Sequence, residues 1–112
     1  MGQIMTAEGI ENAAVRTLRQ LLDGGKTFVK LSGYRASSAG YPFRDLSPLA
    51  RVLIGAAGER CLWGSDWPHA NFPGRTPDAG LLLNLLAEWA PSDAVRHRIL
   101  VDNPAALYGF TV

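Results

Sequence analysis

An α/β fold with parallel strands is predicted by three features of this chain. Two short apolar segments, Thr27–Ser32 and Cys61–Trp63, are separated and followed by helical stretches. The distance between their starts is near the ~30 or more residues of a βαβ unit. Each segment runs into a polar, turn-forming stretch, Ser32-Gly33-Tyr34-Arg35 after the first and Gly64-Ser65-Asp66 after the second. Those stretches lie at the C-terminal mouth of the strands, where α/β folds place catalytic groups.

The elements follow in order. Between Ile10 and Leu22 the apolar residues Ile10, Ala14, Leu18, Leu21 and Leu22 share one helix face, and Glu11, Asn12, Arg16, Arg19 and Gln20 take the other. Gly24-Gly25 provides the stop. Thr27–Ser32 is β-branched and aromatic at its start and reads as a strand. Gly33 to Ser47, with Gly40, Pro42 and several serines, reads as a long loop, and long ordered loops in compact domains are usually functional. The spacing then predicts a helix over Pro48–Ala57, with Ser47 as N-cap and Pro48 at the first helical position. After the Cys61–Trp63 strand, Thr76-Pro77 opens a third helix whose apolar face is Leu82, Leu85, Leu86 and Trp89. A fourth spans about Asp93 to Val101, and Asn103-Pro104 caps a last short turn ending at Gly109. Both strands read as buried on both faces, as parallel strands are, yet two strands alone leave sheet edges open. Helices are expected on one side of the pair, with uncovered apolar surface on the other.

Composition narrows the function classes. A chain of 112 residues with 47% hydrophobic and 19% charged residues is one globular domain, residues 1–112. Eleven basic against ten acidic residues leave a formal charge of +1, which offers no field to steer nucleic acid or an anionic membrane. The single Cys61 excludes an internal disulfide and fits a reducing compartment. No apolar run approaches the ~20 residues of a membrane span, and residues 1–20 lack the apolar core of a signal peptide. The expected location is cytoplasmic.

The chemistry-bearing residues concentrate in Trp63-Gly64-Ser65-Asp66-Trp67-Pro68-His69. Asp66 reads in two ways: as a turn or cap residue bonded to local backbone, or as a general base or metal ligand whose pKa is set by the surrounding indoles. His69 is either a structural loop histidine or a group that polarises a carbonyl or orients a substrate. Arg35 is either half of a surface salt bridge or a bidentate clamp on a substrate carboxylate. His97, between Arg96 and Arg98, reads as a solvated face. Ser32 has no evident base, and two histidines with one cysteine do not make a complete metal site.

Three ordered motifs carry a resemblance: Lys30-Leu31-Ser32-Gly33, Leu62-Trp63-Gly64-Ser65-Asp66-Trp67-Pro68-His69, and Leu100-Val101-Asp102-Asn103-Pro104-Ala105-Ala106-Leu107-Tyr108-Gly109-Phe110. Together they resemble the C-terminal part of the amidohydrolase-related (β/α)₈ barrels. They are most similar to the branch that hydrolyses 2-pyrone-4,6-dicarboxylate in aromatic compound degradation. The resemblance implies a C-terminal fragment of a TIM barrel, with Thr27–Ser32 as strand seven and Cys61–Trp63 as strand eight. It implies a hydrolase of a carboxylate-bearing cyclic ester, with Asp66 as general base on water and Arg35 and His69 binding substrate. No cofactor is implied for a lactonase-like member; in metal-using relatives, which bind zinc or manganese, the residue matching Asp66 is also a ligand. Family members carry Asp-His-Met-Gly at the end of strand six, and this chain opens Met1-Gly2. The expectation is therefore a partial barrel, inactive alone, that needs a missing N-terminal barrel segment, a partner chain or self-association.

Overall fold

The computed structural model describes residues 1–2 and 4–112. Helix α1 spans Ala13–Asp23, strand β1 Val29–Leu31, helix α2 Ser47–Ala57, strand β2 Cys61–Trp63 and helix α3 Ala79–Trp89. Helix α4, Asp93–His97, passes through a π-helical turn at Arg98–Asp102 into α5, Asn103–Tyr108. β1 and β2 pair in parallel, Val29 with Cys61, Lys30 with Leu62 and Leu31 with Trp63. The α/β class and the strand pairing are as expected.

The helix boundaries differ where side chains compete for backbone. α1 begins three residues later than its apolar spacing suggests, because Asn12 has extended backbone and its Oδ1 accepts from Val15 N–H at 3.0 Å. That capping bond satisfies a donor that would otherwise be orphaned. Ser47 is not a cap. Its backbone is already helical (φ −57°, ψ −44°) because a 3₁₀ turn at Arg44–Leu46 runs straight into α2. Pro48 does sit in the first turn of α2. The third helix is capped by Asp78, whose Oδ1 accepts from Leu81 N–H at 2.8 Å, and not by Thr76.

Nor does Asn103-Pro104 start a separate turn. Pro104 has no N–H and its ring would crowd the carbonyl four residues back. The π turn just before it widens the helix there, and Asn103 N–H reaches back to Arg98 O. Asn103 itself is buried, and its Nδ2 donates to Gly58 O and Cys61 O, both at 2.8 Å. It ties the last helical stretch to the start of β2. Asn103→Ala is expected to cost about 1–3 kcal/mol by orphaning those carbonyls. Equilibrium urea unfolding would read this, and an unchanged midpoint would refute it.

Helices cover one side of the two strands. Val29, Leu31 and Cys61 are buried among Val15, Leu22, Leu53, Leu86 and Ile99. The opposite side corrects the sequence expectation, since β1 alternates and Lys30 is exposed. The Lys30 stem lies across Gly64, where a Cβ would come within 2.9 Å of Lys30 Cδ, and Leu62 beside it is buried. A long amphipathic side chain thus covers a face that its strand neighbours alone would leave apolar. No helix among the described residues is long and apolar enough to cross a membrane.

The segment from Gly33 to Ser47 is ordered by its own polar groups. Gly33 opens a 3₁₀ turn, Gly33–Ala36, at a point where a Cβ would overlap Met1 Sδ. Asp45 then gathers the loop: Ser37 Oγ donates to Oδ1 at 2.6 Å, and Thr6 Oγ1 and the Ser38 and Ala39 amides donate to Oδ2. Burial by itself would raise the Asp45 pKa, but these bonds together outweigh it and bring it below the usual value. The loop that presents Tyr34 and Arg35 is therefore anchored.

Candidate functional site

β1 and β2 run side by side, so the segments that leave their C-terminal ends meet. Each of these two segments contributes two side chains to one cluster. Arg35 Nε donates to Asp66 Oδ2 at 2.6 Å, and Tyr34 Oη donates to the same oxygen at 2.7 Å. His69 Nδ1 lies 3.0 Å from Tyr34 Oη. Arg35 is pinned a second time, Nη2 donating to Ala70 O at 2.5 Å. All three residues singled out in the sequence, Asp66, Arg35 and His69, are thus brought together. Tyr34 was missed, although it directly precedes Arg35. The available signal was that a tyrosine buried at the end of a strand needs a partner for its hydroxyl.

The turn after β2 is built from main chain. Asp66, His69 and Asn71 all take left-handed backbone, with φ of 62°, 59° and 58°, a conformation uncommon outside glycine. His69 N–H bonds Asp66 O at 2.8 Å and Phe72 N–H bonds His69 O at 3.1 Å. The turn is closed by the Asp66 carbonyl, which leaves the Asp66 carboxylate free to face the other strand. The turn-residue reading of Asp66 accordingly applies to its backbone and not to its side chain.

Burial differs across the cluster. Tyr34 is 1% exposed and His69 5%, whereas the Arg35 and Asp66 side chains are 32% and 41% exposed. The Arg35 guanidinium first, and the Tyr34 hydroxyl second, hold the Asp66 carboxyl below the usual carboxylate range. Trp67 does not set it, since its indole points to solvent at 79% exposure. Burial, reinforced by the bond to Asp66, pushes the Tyr34 hydroxyl up to about 12. The cluster at neutral pH is an ionised carboxylate, a guanidinium and a protonated phenol.

A group whose pKa is lower folded than unfolded adds stability above its unfolded pKa, ~3.9 for aspartate, and loses it as pH falls through the folded value. Asp66 should therefore titrate below that reference when followed by carboxylate NMR, and Arg35→Met should raise its midpoint. A midpoint at or above the reference in the native chain would contradict the pairing.

An open cleft of about 280 Å³ adjoins the cluster, lined by Tyr34, Arg35, Ser37, Phe43, Phe72 and Pro73. Aromatic edges with one guanidinium suit a flat, anionic small molecule. A second cleft of similar size lies between Ile4, Met5, Ile10, Pro48 and Leu49; its carboxylate, Asp45, is occupied by the loop bonds described above. The described residues of this chain do not by themselves make a divalent-metal site. Among the described residues no three histidine, cysteine, aspartate or glutamate side chains converge, and Asp66 Oδ2 already carries a guanidinium. His97 is exposed, 3.4 Å from Asp102 and remote from the cluster in sequence and role.

The amidohydrolase family profile matches residues 3–110. The chain is 47% identical over 111 residues to a 4-sulfomuconolactone hydrolase of Rhizobium radiobacter, covering 96% of this chain and 37% of that protein. It is 38% identical to a D-galactarolactone isomerase of Agrobacterium fabrum, over 90% of this chain and 35% of the relative. A 2-pyrone-4,6-dicarboxylate hydrolase of Comamonas testosteroni is 42% identical over 66 residues, 59% of this chain and 22% of the relative. An apo crystal structure of an Agrobacterium tumefaciens protein superposes with a TM-score of 0.76 at 35% identity, over 90% of this chain and 36% of that one. The chain thus spans little more than a third of the length of these longest matches.

Proposed function

The chain belongs to the amidohydrolase family, with the architecture of a partial (β/α)₈ barrel, and from that premise we propose that it carries one side of an active site hydrolysing an anionic lactone. The observation that supports this most is the shared Asp66 oxygen: a carboxylate on the segment after β2 is paired with a guanidinium on the segment after β1, and that guanidinium lines the cleft. Both bonds to Asp66 fall on Oδ2, so Oδ1 is available to a water. In the reaction Oδ1 takes a proton from water as the oxygen attacks the lactone carbonyl. The ring acyl–oxygen bond then breaks, and the leaving oxygen recovers the proton from Asp66. Arg35 holds a carboxylate of the substrate, and His69, buried behind the cleft-lining Tyr34, helps shape the substrate site.

A carboxylate held below its ordinary pKa is ionised but weakly basic. A substrate anion arriving at Arg35 shares the guanidinium charge, weakens its hold on Asp66 and raises the basicity of that carboxylate as the reaction begins. Relatives named for a sulfonated lactone, a dicarboxylated pyrone and a sugar-acid lactone have anionic groups suited to such an exchange. The specific substrate we propose is 2-pyrone-4,6-dicarboxylate or a lactone like it.

A companion reading is that these 112 residues are inactive alone and work only with the rest of a barrel, as one half of a split barrel or by self-association. The 37% coverage of its relative supports it, as does a β2 that pairs only with β1 among the described residues. One experiment addresses both. Residues 4–110 replace the matching segment of the Rhizobium radiobacter hydrolase, and the chimera and the isolated chain are assayed on 4-sulfomuconolactone and 2-pyrone-4,6-dicarboxylate. Turnover by the chimera alone is the expected result. A folded chimera inactive on both lactones would overturn the hydrolase reading, and turnover by the isolated monomer would overturn the companion one.

A further inference from the structure

We propose that Tyr34 is a positioning residue that holds neutral His69 in its Nδ1–H tautomer, leaving Nε2 as a hydrogen-bond acceptor for a hydroxyl or a water. Tyr34 Oη lies 2.7 Å from Asp66 Oδ2 and 3.0 Å from His69 Nδ1. A phenol has one proton to donate, and an ionised carboxylate can only accept. Arg35 on the same Asp66 oxygen keeps that carboxylate charged. The Tyr34 proton therefore goes to Asp66, and the contact with His69 is a hydrogen bond only if Nδ1 supplies the proton. In a neutral imidazole the other nitrogen is then bare.

Packing keeps the rings in this arrangement. The Tyr34 ring meets His69 edge-on at 5.2 Å and Phe72 edge-on at 4.8 Å, and both Tyr34 and His69 are buried. The Arg35 guanidinium lies 5.4 Å from the Tyr34 ring centroid. Swinging the phenol away from His69 would open a gap against Phe72 and strand two polar groups.

The consequence concerns which ligand group faces His69. With Nε2 bare, His69 offers no N–H to a substrate carbonyl, so polarising that carbonyl is not its role. Its Nε2 can only accept a hydrogen bond, from a hydroxyl or a water. This deepens the proposed reading of the Asp66 site, but the tautomer rests on the hydrogen-bond count alone. Its test needs no turnover, so its failure is separable from failure of the hydrolase reading.

Long-range ¹H–¹⁵N NMR of the full 112-residue chain distinguishes protonated from bare imidazole nitrogens. The chain has two histidines, and His97→Gln assigns them. In its neutral form, His69 should show a protonated Nδ1 and a bare Nε2. Asp66→Ala removes the acceptor of the Tyr34 proton, so Tyr34 should donate to Nδ1 and the tautomer should invert to Nε2–H. Tyr34→Phe should release the Nδ1–H preference while keeping the ring. A merely space-filling Tyr34 would leave the tautomer unmoved in Asp66→Ala. Native His69 with a protonated Nε2, or an Nδ1–H pattern retained in both folded variants, would overturn the proposal.

Discussion

Asp66→Asn is expected to lower lactone turnover by the chimera by about 10²–10⁴-fold, the usual contribution of a positioned general base. Asparagine keeps the shape of the side chain and can still accept from Arg35 and Tyr34 through its amide oxygen. What it loses is a basic oxygen toward water, so the effect should fall on kcat, with KM changed less and the melting temperature almost unmoved. The test is steady-state kinetics beside thermal unfolding of the same preparations. Full activity in Asp66→Asn would remove Asp66 from the chemistry and leave its pairing with Arg35 as a structural salt bridge. A loss confined to KM would instead make it a binding residue. The exposure of the pair makes a merely structural account poor, because partly solvated ion pairs add little stability.

The second large effect is on stability. Leu53→Ala should destabilise the chain by about 2–5 kcal/mol, the range for emptying a large aliphatic site in a packed core. Leu53 is completely buried on α2, and its carbonyl lies 3.7 Å from Cys61 Sγ on β2. Its helix packs against α1, α3 and β2, so few neighbours can relax into the space. Against a total of about 5–15 kcal/mol for a typical domain, that is a large fraction. Leu83, 41% exposed on α3, is the control, and Leu83→Ala should stay within about 0.5 kcal/mol of the native chain. Urea unfolding followed by tryptophan fluorescence separates the two; equal midpoints would mean that the core assignment is wrong.

How much of this was legible beforehand varies by the kind of interaction. The apolar face of α3 was readable because a helix buries residues at a fixed spacing, and Leu82, Leu85, Leu86 and Trp89 are indeed the buried set of α3, whereas on α1 the buried pair is Val15 and Leu22 and Leu21 is exposed. The pairing of the two strands was readable because each is short, apolar and followed by turn residues. Helix starts were less so, because Ser, Thr, Asn and Asp all cap and several stood near each start. Only the folded backbone selects Asn12 and Asp78 over their neighbours. The role of Asn103 was hidden because its partners, Gly58 and Cys61, are remote in sequence. Lys30 misled because a strand was assumed to be buried on both faces, whereas a lysine stem can itself be the cover.

The linear order of residues thus settled the α/β class and the two strands, and it singled out three residues that the fold brings together, since periodicity, turn chemistry and motif order are local properties. It left open whether the Asp66 side chain bonds its own turn or groups from the other strand's segment. That question was decided by the parallel register of β1 and β2, which sets Tyr34 and Arg35 against Asp66 and His69 across the sheet. Hydrogen bonds between side chains far apart along the chain have no local signature, because their geometry exists only once the core has closed. The Tyr34 hydroxyl between a carboxylate and an imidazole is the clearest case: its neighbours follow from packing and not from sequence spacing.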